Sequence, residues 1–383
     1  MIYLDNAATT FPKPQCVVDE MCKCIKRYCG NPGRSAHLLS VKSSEKIYEA
    51  RELLAEMFDS LPENVVFTYN TTYALNIAIK SLLKYSTHVL ISDIEHNSVY
   101  RPVYECANQQ LCSFDIFSTN GNTEDIISSI EEKITSNTSM LICTCSSNVG
   151  ERRLPLYEIG QLCKKHGINF IVDGAQGAGI YEISVRKMNI SALCIPAHKG
   201  LYGPQGVGMI IFNENIMGRS IIEGGTGINS QEPIMPDFLP EAYEAGTLST
   251  PAIAGLVASL KWLKEANVDK IRAYEEEIYT IAYDLLSSNE EIITYKMNSY
   301  NGSTLTFNIK GISSATVASE LNKREIYVRS GFHCSPLAHK ILGTGDLGGV
   351  RISLSVFNTK SDIYSFYDAI EDILSKRKKK IRR

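Results

Sequence analysis

The 383-residue sequence predicts an α/β fold, with a large domain on a mostly parallel sheet and a smaller α+β domain after it. Three observations carry that prediction. Between residues 60 and 212 short apolar runs alternate with amphipathic stretches, the rhythm of buried strands joined by covering helices. After Pro251 the rhythm changes to two long helical stretches, then short strands around one more helix. Apolar residues make up 44% of the chain and charged residues 21%, a composition that builds a sizeable core.

Strands are expected at Val65 to Thr68, Val89 to Ser92, Leu111 to Phe117, Met140 to Cys145, Asn169 to Asp173, Ala192 to Ile195 and Val207 to Phe212, each a short apolar run. Between several of them Thr72 to Leu83, Asp125 to Ile134 and Leu156 to His166 have apolar residues at helical spacing. Ala252 to Glu265 and Ile271 to Leu286 follow as helices, then a strand at Ser303 to Ile309, a helix near Thr316 to Asn322 and strands near Ile326 and Val350. The large domain is expected over residues 15–260, and the small one over 1–14 and 261–383.

Charge and composition exclude several classes. Removing the seven basic residues between Lys376 and Arg383 from a net charge of −3 leaves −10 on the rest, against a general nucleic-acid surface. The basic tail itself is expected to be a solvated helix end. No apolar run approaches the ~18 residues of a membrane span. The opening residues, with Asp5 and Asn6, lack a secretory pattern, so a cytoplasmic protein is expected. The eleven cysteines include no C-x-x-C pair and read as reduced thiols. Cys22 and Cys24 diverge by about 200° on a helix, so no metal site is expected there.

Two motifs carry chemistry together. In NFIVDGAQ a buried strand ends in Asp173 followed by Gly174, which presents an acid at the carboxyl edge of the sheet, where α/β proteins bind ligands. In AHKGLYGPQG, His198 and Lys199 follow the next strand and precede a Gly/Pro-rich turn. Singly, the aspartate is a turn residue and the lysine a solvated one. As a pair they are what pyridoxal phosphate requires, an amine to bind its aldehyde and a carboxylate to keep its ring nitrogen protonated. Asn70, Thr71 and Thr72 at an expected helix start offer hydroxyls and N–H groups to its phosphate, although in isolation a plain N-cap is the better account of them.

With these motifs in place, the sequence resembles a known family. YLDNAATTFPKP, NTTYALN, the Glu95-His96-Asn97 triplet, SSNVG, VDGAQ, HKGLYGPQG, EAGTLSTPAIAGL, VRSGFHCSPLAH and VRISLSVFNT resemble, in order and spacing over nearly the whole chain, the cysteine desulfurases of the fold-type I, class V aminotransferase-like group. The resemblance implies that Lys199 holds the cofactor, Asp173 pairs with its ring nitrogen, Gln176 bonds its ring oxygen and His96 stacks on the ring and takes part in proton transfer. It implies phosphate contacts from Thr71, Thr72 and His198, and one from Thr247 of the other subunit of a homodimer. Asn148 and Arg351 would hold the carboxylate of the substrate, L-cysteine or selenocysteine, with Arg329 close by. Cys334, the catalytic cysteine, lies in the small domain; alone among the cysteines it sits in a Gly/Pro-bounded loop beside basic groups, Arg329 and His333.

The chain departs from that pattern at two places. Pro196 and Ala197 stand where relatives carry a Ser or Thr and a Gly, which removes one phosphate hydroxyl, and Glu151 and Arg152 stand where a Gly-Thr pair is common. The short segment from Cys334 to Arg351 resembles the second group of desulfurases, whose less mobile cysteine loop depends on a sulfur-accepting protein. A selenocysteine lyase, an aminotransferase or epimerase, and a weakly active binding subunit of a sulfur-transfer assembly remain open as alternatives.

Overall fold

In a computed structural model of the chain, the described residues are all but 34–36, 151, 215, 298–301 and 382–383, together with the side chains of 378–381. Glu151 therefore lies outside the described residues. In chain order the elements are β1 (Ile2–Tyr3), α1 (Gln15–Arg27), α2 (Leu38–Phe58), β2 (Val65–Thr68), α3 (Thr71–Leu82), β3 (Thr87–Ser92), α4 (Asn97–Asn108), β4 (Cys112–Phe117), α5 (Thr123–Glu131), β5 (Thr138–Thr144), α6 (Leu156–His166), β6 (Asn169–Asp173), β7 (Ala192–Pro196) and β8 (Gly208–Phe212). They continue as α7 (Thr250–Ala266), α8 (Val268–Ser287), β9 (Ile292–Tyr295), β10 (Thr304–Ile309), α9 (Ser314–Asn322), β11 (Ile326–Tyr327), β12 (Arg329–Gly331), α10 (Pro336–Leu342), β13 (Gly349–Ser353) and α11 (Lys360–Ile381).

Two compact units result. The larger comprises Lys13–Cys145 and Leu154–Ala266, the smaller Met1–Pro12, Ser146–Arg153 and Asn267–Arg383. Relative to the expected bounds, residues 13–14 and 261–266 fall in the larger unit and 146–153 in the smaller.

The larger unit is built on a seven-stranded sheet in the order β2-β8-β7-β6-β5-β3-β4. Only β8 runs against its neighbours; the other pairs are parallel. Because β2 and β7 are both antiparallel to β8, the loop after β2 leaves by the same edge as the loops after β3, β5, β6 and β7. Strands β7 and β8 are buried along their whole length, as expected of strands covered on both faces. Helix α3 packs on β6, β7 and β8, where its Leu75, Ala78 and Ile79 share one core with Ile171 and Ile210, an apolar stripe at helical spacing.

The smaller unit pairs β12-β13-β10-β9 antiparallel and β1-β11 in parallel. Phe307, Ile352, Ile278 and Phe366 meet in its core. Among the described residues no helix is long and apolar enough to cross a membrane.

Candidate active site

The carboxyl edge of the larger sheet gathers most of the residues expected to hold a cofactor. Register aligns Thr144 of β5 with Asp173 of β6, and Asp173 with Cys194 of β7. The loops after β6 and β7 then press together: a Cβ on Gly179 (φ +80°) would lie 2.2 Å from the Gly200 oxygen, and one on Gly200 would lie 2.4 Å from the Ala178 oxygen. Only glycine permits that approach, which sets the Lys199 loop against the Asp173 loop. Asp173 is buried and accepts the Ala175 N–H at 2.9 Å. Burial raises its pKa, while that N–H and the Lys199 charge oppose the rise. Lys199, His198 and Gln176 are half-buried.

The other side of this edge is made by helix starts. Asn70 caps α3 by accepting the Tyr73 N–H at 3.0 Å. Gly208, at the start of β8, approaches so closely that a Cβ there would lie 2.4 Å from the Asn70 backbone. Thr71 is buried and Thr72 exposed on the first turn. Thr72 Oγ1 lies 2.8 Å from Ser98 Oγ, and Ser98 donates its N–H to His96 Nδ1 at 3.1 Å. An accepting Nδ1 places the hydrogen of the neutral ring on Nε2. His96 thus caps α4 with one nitrogen while its loop sits beside the α3 start.

Two residues that were not assigned roles from sequence belong here. Lys13 donates to the His198 carbonyl at 2.8 Å, and burial lowers its pKa to about 7. Burial, then the Lys199 and Lys13 charges, brings His198 down to about 4, so it is a neutral imidazole at pH 7. Glu95 is wholly buried: Oε1 accepts from Ser92 Oγ and from the Thr144 N–H at 2.8 Å, and Oε2 meets no partner among the described residues. Burial raises its pKa to about 8, with the Asp173 and Asp93 charges adding to the rise. Thr247 is exposed and lines an apolar pocket with Phe67, Tyr69, Tyr73, Ile222 and Leu248.

These groups fit pyridoxal phosphate. A buried carboxylate beside an amine suits the two ends of its ring chemistry. A helix N-terminus flanked by Thr71 and Thr72, with the Gly208 approach keeping side chains out, suits its phosphate.

The smaller unit holds Cys334, the residue expected to take up sulfur. Cys334 is exposed between buried His333 and Ser335. Both His333 (φ 52°) and Cys334 (φ 58°) are left-handed, at a cost of roughly 1–2 kcal/mol each. Asn148 staples the turn from both sides: its Nδ2 donates to the His333 carbonyl at 2.8 Å, and its Oδ1 accepts from Ser335 Oγ at 2.6 Å. Nδ2 carries a second hydrogen, so contact with a substrate carboxylate, expected from the sequence, does not compete with either bond. Arg329 places Nη2 3.5 Å from Cys334 Sγ. His333 corrects the sequence reading. Its ring turns inward, and burial, then the charge of Arg351, pushes its pKa to about 2, so of the two basic residues expected beside the thiol His333 is neutral and Arg329 carries the charge.

Arg351 is fully buried, with Nη2 2.6 Å from Asp5 Oδ1 and Nη1 donating to the Asn148 carbonyl at 3.1 Å. Its Nε has no partner among the described residues. Arg152, at a position where the sequence departs from the family, is buried. Pro196 pairs with Gly208, and Ala197 is buried below the Lys199 turn. Among the described residues no group of three or more His, Cys, Asp or Glu is placed to hold a metal ion.

The model of the "Aminotransferase class-V" family matches residues 2–366. The chain belongs to that family. A relative from Methanothermobacter thermautotrophicus, described as "Probable cysteine desulfurase", is 31% identical over 97% of this chain and 94% of its own. Among solved structures, a cysteine desulfurase from Thermococcus onnurineus NA1 superposes with a TM-score of 0.88 at 28% identity, covering 98% of this chain and 95% of that one. The cysteine desulfurase CsdA of Escherichia coli gives 0.86 at 25% identity, covering 97% and 94%. This class V family is pyridoxal phosphate-dependent, and the fold agrees with these neighbours in its mostly parallel seven-stranded sheet and small antiparallel sheet.

Proposed function

We propose that the chain is a pyridoxal phosphate-dependent cysteine desulfurase, converting L-cysteine to L-alanine and taking the sulfur onto Cys334 as a persulfide. The observation that carries this reading is the exposed Cys334 sulfur 3.5 Å from the Arg329 guanidinium, on a turn held by Asn148. An aminotransferase or epimerase has no use for a thiol presented in this way.

Lys199 would hold the cofactor, Asp173 its ring nitrogen, Gln176 its ring oxygen and His96 its face, with Thr71, Thr72 and His198 at the phosphate. Bound pyridoxal phosphate supplies an electron sink for the pair left when the substrate loses its Cα proton. Lys199 is the base that takes that proton. Arg351 is the group that meets the substrate carboxylate, through N–H groups beyond the two bonded to Asp5 and Asn148. The Cys334 thiolate attacks the substrate sulfur, the S–S bond forming as the Cβ–S bond breaks with its electron pair left on the carbon skeleton, which gains a proton to become alanine, and the sulfur stays bound as the persulfide until a sulfur-accepting protein takes it. Thr247, exposed on a single chain, is delivered to the neighbouring subunit's phosphate in a homodimer.

Purified protein incubated with pyridoxal phosphate and L-cysteine should form alanine, and release sulfide once a thiol reductant is added. Lys199→Ala should lose both turnover and the visible absorbance of lysine-bound cofactor. Selenocysteine as a parallel substrate separates the lyase reading. Cleavage of selenocysteine without alanine from L-cysteine would overturn the proposal.

A further inference from the structure

Behind Cys334 runs a chain of hydrogen bonds that the desulfurase reading leaves unused. His333 Nε2 lies 3.3 Å from the Arg329 carbonyl. His333 Nδ1 lies 2.8 Å from His339 Nε2, and His339 Nδ1 lies 2.8 Å from Thr344 Oγ1. Both imidazoles are buried. Their centroids are 5.0 Å apart with planes 25° from parallel, a separation that matches the nitrogen-to-nitrogen contact plus one ring radius on each side. The rings therefore meet edge to edge through those nitrogens.

The direction of every hydrogen follows from the ends of the chain. A carbonyl only accepts, so His333 carries its hydrogen on Nε2. With His333 neutral, Nδ1 is bare and the hydrogen between the rings belongs to His339 Nε2. Burial, then the charge of Arg351, lowers the His339 pKa to about 4, so this ring is also neutral, its Nδ1 is bare and Thr344 donates to it. Arg351 and Arg329 both act against a proton on His333. A chain that ends on a carbonyl hands no proton onward, so its task is orientation.

We propose that His339 is a positioning residue that fixes the His333 ring against the Arg329 carbonyl and so holds the Arg329 guanidinium at the Cys334 sulfur. The proposal rests on the desulfurase reading only for the use made of that sulfur.

The test reads Cys334 without L-cysteine. Alkylation by iodoacetamide, followed by peptide mass spectrometry, should slow about fivefold or more in His339→Leu. His339→Gln, whose amide N–H can donate to His333 Nδ1, should stay within about twofold of wild type. Long-range 15N–1H spectra of histidine-labelled protein should show both rings as Nε2–H tautomers. If His339→Leu does not fold, Thr344→Val tests the same chain, with slowed alkylation and a loss of the single tautomer at His339. Equal rates in the Leu and Gln variants, or an Nδ1–H tautomer at His333, would overturn the proposal. Alanine formation by the wild type tests the desulfurase reading separately, since alkylation needs no substrate.

Discussion

A thiolate needs a positive neighbour, and of the two basic residues flanking Cys334 in space only Arg329 supplies one. Serine in place of Cys334 keeps the turn and loses the sulfur acceptor. Cys334→Ser should therefore leave the cofactor spectrum unchanged and lower alanine formation from L-cysteine by about a hundredfold or more, measured by amino-acid analysis with mass spectrometry for the added sulfur. Full activity in that variant would end the persulfide mechanism. Glu95 gives a second prediction at this scale. Its native pKa of about 8 lies above the ordinary carboxyl value, so between these the native state holds a proton that the unfolded chain has released, and stability falls as pH rises through that window. Glu95→Gln removes this dependence. Thermal melts of the two proteins between pH 5 and 8 should diverge by an amount on the order of 4 kcal/mol, with wild type losing stability; parallel curves would refute a neutral Glu95. Asp173, Lys199 and Cys334 were legible because each stands in a short motif beside glycine or proline. The inward turn of His333, the staple made by Asn148 and the partners of Glu95 depend on residues far apart in the chain, and no local pattern announces them.

At the scale of elements, the phosphate site depends on how closely β8 approaches the start of α3. A methyl group on Gly208 would sit 2.4 Å from the Asn70 backbone, and β8 is not free to yield, since it is paired on both sides. Gly208→Ala should displace the α3 N-terminus and weaken cofactor retention by about tenfold or more, 1.4 kcal/mol, read as absorbance retained after dialysis. Retention equal to wild type would show that the approach is not needed. Sheet strands were readable because their apolar runs are short and bounded. Helix α2 was not named from sequence, and exposed Leu38, Leu39, Val41 and Tyr48 blur its polar face. Helix α4 carries Pro102 inside it, a residue that argues against a helix wherever packing does not override it. In β12 and α10 the elements are short, and what fixes the turn between them is the set of bonds to Asn148.

At the scale of the whole molecule, the segment 146–153 shows the limit of reading domains along a chain. It follows β5 directly, where the alternation of strands and helices continues, yet its contacts place it in the smaller unit. The opposite limit is a surface that one copy does not cover. Tyr69, Tyr73 and Ile222 are exposed by 58%, 45% and 39% around the pocket that Thr247 lines, and Tyr69 and Tyr73 meet edge to face at 5.4 Å. A contiguous apolar patch of this kind is a contact surface in waiting. A homodimer that buried it would carry Thr247 to the neighbouring subunit, as proposed above, so loss of assembly should also release cofactor. Sedimentation of the wild type should give a mass of about 85 kDa, twice the 42.5 kDa chain. Tyr69→Arg, which sets a charge into the patch, should shift the protein toward monomer and release cofactor on dialysis. Thr247→Ala should release cofactor while leaving the dimer intact, because it removes one hydroxyl and no apolar surface. A monomeric wild type with full turnover, or a monomeric Tyr69→Arg variant that retains its cofactor, would separate the patch from the site and refute a shared active site.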